Sequence, residues 1–520
     1  MVKDNHLENI DSIASNTLVL GEKISVTDLV NVARHGYKIQ FSQAYKNRVI
    51  KSRNLVEKWI DEGRVMYGIT TGFGALSTCL ISKEETERLQ RNIILSHATS
   101  VGRPLEVEEV RAIMLCMLQS LGQGYSGVSL NLLEAIRTFL NAEITPYAPG
   151  DGSVGYLSVE GHIGLSLIGL GKVYYKGQLE TTQHVLEALD LSPVVLGAKE
   201  GLALISGTTS PTGLAGLAIY DMLQAVQSAD VIGAMCLEVT KGTLRAFDER
   251  LMSVKPYKEQ GQAASNVRRV LKGSQIAQKH LDYRLQDALS MRALPQLHGA
   301  SRRALNNALE VVEEELNFTG DNPIIWQDED GGQALSGCHC DASYVGVQMD
   351  ASAIAATMVA KISERRNYRM TTSTHSEMPW FLIKNPGVNS GLMIPQYSQA
   401  GLVNEMKMLS TPAVVDSIPT CGGQEDYVSM GYNASRKAMK VAEKLEYVLA
   451  IELLSAYQAH QFMEGLNPSP AVKALIEEIG KTVPMIEEDT FIQPYIEDLK
   501  KLIHSGKLLA VIEKITGELE

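Results

Sequence analysis

The chain has 520 residues, 45% of them hydrophobic and 21% charged, the balance of a soluble globular protein with room for one large domain or several ordinary ones. A formal net charge of -12 excludes phosphate-backbone binding as an expectation, because that needs clustered Lys and Arg, so no nucleic-acid partner is expected. No uninterrupted run of about 18 apolar residues occurs, so no membrane span is expected, and the charged start "MVKDNHLENIDSIASN" lacks the apolar centre of a signal peptide.

Along the chain, "MYGITTGFGALS" (66–77) puts Tyr67 ahead of a glycine-punctuated loop without the Lys of a phosphate loop. "LQRNIILSHATSVGRPL" (89–105) places His97 on one helical face with Leu89 and Ile93. "KVYYKG" and "NPIIWQ" are the best short strand candidates. "SRRALNNALEVVEEELN" predicts a helix with Leu305, Leu309, Val312 and Leu316 on one face and Ser301 as N-cap. "ASAIAATMVAKISERR" predicts another through Ile354, Met358 and Ile362, and 434–457 a third through Ala438, Val441, Leu445 and Val448. "GLNPSPAV" (465–472) marks a turn before a charged helical tail.

These patterns predict a mainly α protein. A long helical bundle is expected over 216–520, after a smaller loop-and-helix region over 1–215. Long helices with mixed surfaces predict self-association. The six cysteines, at 79, 116, 236, 338, 340 and 421, are sparse and suggest reduced thiols in a cytoplasm. Cys338, His339 and Cys340 lack a second, spaced ligand pair, so they are expected to form a buried loop and not a metal site.

Four further stretches complete a set: "LQDALSMRALPQLHGA" (285–300), which holds Arg292, "NPGVNSGLMIPQ" (385–396), "TCGGQEDYVSMG" (420–431) and "GDGSVGYLSVEGHIGLSLIGLG" (150–171). As an ordered set they resemble the histidine/phenylalanine ammonia-lyase family over nearly the whole chain. The "QEDYVSM" form and His97 are similar to the histidine branch. The resemblance implies that Glu425 and His97 suit an imidazole-bearing substrate, that Arg292 takes its carboxylate, and that Tyr67 is the base. Gln286 and Asn322 are implied as substrate contacts. Independently, a planar guanidinium can hold a carboxylate bidentately.

In that family an Ala-Ser-Gly tripeptide after a G-S-V-G lead cyclises into an electrophilic imidazolone (MIO). Here Gly152-Ser153-Val154-Gly155 is followed by Tyr156, Leu157, Ser158, Val159 and Glu160. The β-branched Val159 disfavours the tight turn, so the expectation is no MIO and no other cofactor. Ser206, Leu289 and Cys340 stand where the family has Asn, Tyr and Phe, which implies a wider cavity.

A trimethylammonium leaves as neutral trimethylamine without an electrophile. On that ground the chain is expected to resemble the ergothionase branch, eliminating trimethylamine from the betaine ergothioneine to give thiolurocanate. Lys384, ahead of G-V-N-S-G, is the expected proton donor if desolvated. Glu160 faces the departing cation or holds its loop. The resemblance implies a cytoplasmic homotetramer with shared active sites. The other readings are a histidine ammonia-lyase and a non-catalytic binding homologue.

Overall fold

The computed structural model describes residues 16–328, 331–463 and 465–520. They divide into two compact units, Met1–Gly213 with Leu316–Cys340, and Leu214–Glu315 with Asp341–Glu520. The protein is mainly α, as its patterning predicts, with only short strands at "KVYYKG" (Lys172–Tyr175) and "NPIIWQ" (Ile324–Trp326) among its sheets.

In the first unit a cluster of Val56, Trp59, Met66, Ile69, Ala198 and Ile325 forms a core at the foot of the Tyr67 loop. Met66 and Ile69 flank Tyr67 and are buried, and each such burial is worth roughly 1.5–3 kcal/mol, enough to seat the loop. Three helices pack on one another beside it: Thr86–His97, Ser158–Leu167 and Glu200–Ile205. Glycines allow the contact. A Cβ added at Gly161 would lie 2.7 Å from the His97 carbonyl carbon, and one at Gly201 would lie 2.4 Å from the Gln90 carbonyl oxygen. No side chain fits either place.

The second unit is built on Ser343–Thr371 and Gly431–Ala459, with Met393–Leu409 and Gln493–His504 against them. Ala438, Val441, Leu445 and Val448 are all fully buried, as their spacing predicts. Two helical expectations are corrected. Ser301 caps nothing: the helix begins at Leu294, and Ser301 sits inside it, donating to the Ala355 carbonyl at 3.0 Å. On Ser343–Thr371 Ile362 is buried as its spacing predicts, but Ile354 is exposed and Met358 half-buried, and the buried side runs instead through Val345, Met349, Ala353, Ala356, Val359 and Ala360. Alanines let the neighbouring helix approach closely, and Ile354 is left outside.

Two stretches, Glu200–Val239 (through its break at 206–208) and Ser343–Thr371, are long and apolar enough to cross a membrane. The apolar window of the first is wholly buried and that of the second is 61% buried, so both read as core helices.

Inside the second unit Arg366 and Glu452 form a fully buried pair, with Nε and Nη2 donating at 2.5 and 2.9 Å, and the Cys236 thiol donates to the same carboxylate at 3.2 Å. Removing one partner of such a pair strands a buried charge. Glu452→Ala is expected to destabilise the protein by about 3–5 kcal/mol in urea unfolding, and the double change Arg366→Met with Glu452→Leu to recover most of that loss.

Candidate active site

The chemistry-bearing residues of the first unit stand on the three packed helices and the loops between them. His97 ends the Thr86–His97 helix, and its Nδ1 lies 2.8 Å from the Ile93 carbonyl. A carbonyl can only accept, so Nδ1 carries a proton in this contact, and Ser96 Oγ lies 3.0 Å from the same nitrogen. The Phe73 ring lies 5.6 Å from the imidazole, so the 66–77 loop folds over His97. The Tyr67 hydroxyl oxygen, in the same loop, accepts from the Gly74 nitrogen at 3.0 Å.

Gln90, fully buried, ties this loop to its neighbours. Its Oε1 accepts from Leu202 N at 3.1 Å, and its Nε2 donates to the Gly68 carbonyl at 3.4 Å. The sequence carries no sign of this role beyond the helical position of Gln90 between Leu89 and Ile93.

Glu160 is wholly buried. Its Oε1 accepts from Thr209 Oγ1 at 3.2 Å and Ser210 N at 3.1 Å, while its Oε2 has no partner among the described residues. Burial pushes its pKa up, against the opposing pull of these hydrogen bonds. These hydrogen bonds tie Glu160 to Thr209 and Ser210 at the start of the following helix.

Ser206 closes the Glu200–Ile205 helix and is buried. The following Gly207, at φ 117°, lies against Gly320, where a Cβ would be 3.4 Å from the carbonyl oxygen. The adjoining Asp321 is clamped by Lys199 at 2.6 Å, both side chains buried, and Asn322 Oδ1 accepts from Gly337 N at 2.9 Å. Nothing in the sequence marks the Lys199–Asp321 pair. Cys340 is buried, and its thiol faces the Tyr156 side chain of the 153–160 loop. Cys338 and His339 are exposed, which corrects the expectation of a wholly buried loop there.

The second unit carries the other candidates, each tied to its own segment. Arg292 Nε donates to the Asp287 carbonyl at 3.1 Å, and with the Gln286 amide turned its oxygen accepts from Arg292 Nη2 at 2.6 Å. Leu289 is 66% exposed. Glu425 is half-buried and accepts from Thr420 Oγ1 at 3.1 Å. The G-V-N-S-G stretch is held by Asp489, whose carboxylate accepts from the nitrogens of Ser390 and Gly391 at 2.7 and 2.8 Å. Lys384 pairs with Glu487 at 3.3 Å, and its side chain is 55% exposed. The desolvation its expected role requires is missing within the chain, because its amine extends to a solvated carboxylate.

The aromatic amino acid lyase model matches residues 24–481. The chain belongs to the aromatic amino acid lyase family. It is a carbon–nitrogen lyase by that membership. The histidine ammonia-lyase of Symbiobacterium thermophilum is 41% identical over 504 residues, 96% of this chain and 99% of that one. That of Alkaliphilus oremlandii is 39% identical over 96% and 98%. Among solved structures, histidine ammonia-lyase from Trypanosoma cruzi superposes with a TM-score of 0.90 at 32% identity, covering 96% and 95%. Ergothionase from Treponema denticola gives 0.88 at 26% identity, covering 95% and 99%.

These likenesses overturn the ergothionase expectation, since the full-length relatives at 38–41% identity are named histidine ammonia-lyases. The trimethylamine elimination from a betaine falls with it. So does the expectation of no cofactor, because membership beside the histidine ammonia-lyases implies their imidazolone.

Ser158 is the residue that would carry that group in this lyase. Its hydroxyl is buried, without a hydrogen-bond partner among the described residues, at the head of the Ser158–Leu167 helix. Its flanks differ from Ala-Ser-Gly: Leu157, at φ 86°, has its carbonyl bonded by Gly161 N at 2.9 Å, and Val159, whose nitrogen would close the ring, is fully buried.

Glu160 gives a test by pH. Its native pKa lies above the unfolded value, so the native state keeps a proton that the unfolded state releases between the two. Stability is therefore expected to fall as pH rises through that window, by up to ~1.4 kcal/mol per pH unit. Unfolding of Glu160→Gln, measured across pH 4–8 (an approximate range set by ordinary carboxyl titration), is expected to lack that slope.

Proposed function

We propose that this lyase is a histidine ammonia-lyase-type enzyme that eliminates ammonia from an imidazole-bearing α-amino acid. The observation that carries the reading is end-to-end similarity to histidine ammonia-lyases, together with the "QEDYVSM" form that puts an acid at Glu425. An acid there accepts from an imidazole N–H, as it accepts from Thr420 now. Arg292 binds the substrate carboxylate through its guanidinium, held in place by Asp287 and Gln286.

Tyr67 is assigned as the base for the β-proton, and His97 as the second imidazole contact. Ser206, Asn322 and Cys340 are assigned to the wall near the Tyr156–Ser158 loop. The family's electrophile, if carried on Ser158, supplies activation of the amine as a leaving group. The chain's own residues bind, orient and move the proton.

A homotetramer is part of the reading. Apolar side chains stand exposed on the long helices of the second unit, among them Tyr344, Ile354, Ile394 and Tyr397. Large exposed apolar side chains grouped on helices favour an interface. A cytoplasmic location is part of the same reading.

L-Histidine, supplied to the purified enzyme, is expected to release ammonia together with an unsaturated product that absorbs in the near ultraviolet. Ammonia from phenylalanine but not histidine would defeat the reading. The same preparation, weighed intact, tells whether Ser158 carries the imidazolone: two lost waters if it does, none if it does not. Tyr67→Phe is expected to cut kcat about 10²–10⁴-fold with little change in histidine binding by calorimetry.

A further inference from the structure

We infer that Cys338 and Cys340 form a thiol-modification site that takes a low-molecular-weight disulfide and closes into an intrachain disulfide beside the active-site loop.

The two sulfurs lie 4.0 Å apart with no bond between them. A disulfide brings sulfurs to about 2 Å, so closure needs a movement of about the same size. The segment permits it: Gly337 to His339 is exposed, residues 339–340 form a turn, and neither regular helix nor strand holds it. The two thiols also differ in access, since Cys338 faces solvent and Cys340 is buried. That difference orders the steps. The Cys338 thiolate attacks the incoming disulfide RSSR, forming a protein–S–S–R bond and releasing RS⁻. The Cys340 sulfur, once deprotonated, then attacks the Cys338 sulfur and expels the second RS⁻. Two protein thiols are oxidised, one RSSR is reduced to two RSH, and the two thiol protons end on the released thiolates.

Burial and the neighbouring Cys338 push the Cys340 thiol up to about 12, so it is the second sulfur to react and not the first. A ring spanning only one intervening residue is strained, which makes the bond readily reduced again. Its formation consumes the Cys340 thiol that faces the Tyr156 side chain.

The other cysteines do not offer this chemistry. Cys116 and Cys236 are buried, and Cys79 and Cys421 are exposed free thiols far in sequence from any other cysteine. They serve as internal references.

The test uses the full chain, fully reduced, then treated with excess glutathione disulfide, digested without reduction and weighed peptide by peptide. The expected result is a 338–340 peptide lighter by two hydrogens, restored by a thiol reductant. In Cys340→Ser a glutathione adduct is expected to accumulate on Cys338, and in Cys338→Ser no adduct is expected on Cys340. Three results overturn the inference: an unchanged 338–340 peptide while Cys79 or Cys421 is modified, a Cys338 adduct in the unsubstituted chain that never closes, or Cys338 joined to a different cysteine.

Discussion

The first unit depends on one contact, the seating of the Gly161 backbone against the carbonyl of His97. A side-chain carbon at 161 would lie within 2.7–2.8 Å of three backbone atoms of His97 and Ala98, so nothing larger than hydrogen fits there. Backbone cannot swing aside as a flexible side chain can. The contact therefore fixes the distance between the end of one helix, which presents an imidazole, and the start of another, which presents Ser158 and Glu160.

The remaining arrangement follows from that contact. Gln90 lies two turns before His97 on the same helix and binds both Leu202 and Gly68, so the Tyr67 loop takes its position from the helix that carries His97. The Glu200–Ile205 helix reaches Gln90 over Gly201 and ends at Ser206. Glu160 bonds onward to Thr209 and Ser210. The price of this compactness is a set of buried polar atoms without partners among the described residues, Ser158 Oγ, Glu160 Oε2 and His162 Nε2 included. Stability is given up where chemistry is placed, as is common at active sites.

Much of this was legible in the residues and some was not. Helical period located the bundle helices because their apolar faces repeat, and Val441, Leu445 and Val448 are buried as spaced. It misjudged Ile354 because the buried face of that helix mixes alanines with Val345, Met349 and Val359, so the large apolar residues alone do not mark it. The motif set leads to the family, yet the departure at 156–160 is local, whereas the similarity to histidine ammonia-lyases runs over 504 residues. The place of Lys384 before G-V-N-S-G does not encode its exposure or its pairing with Glu487, because both depend on a segment about 100 residues away. Gln90 and the Lys199–Asp321 pair join residues 112 and 122 positions apart, a relation that no local pattern reports.

The most direct measurement is a crystal structure of Gly161→Ala, set beside the unsubstituted protein and accompanied by turnover of both. The added methyl is expected to push the end of the Thr86–His97 helix away, displacing the His97 ring and reducing turnover more than it reduces thermal stability. An unmoved His97 with undiminished turnover would contradict the account, since the helix positions would then not rest on that contact.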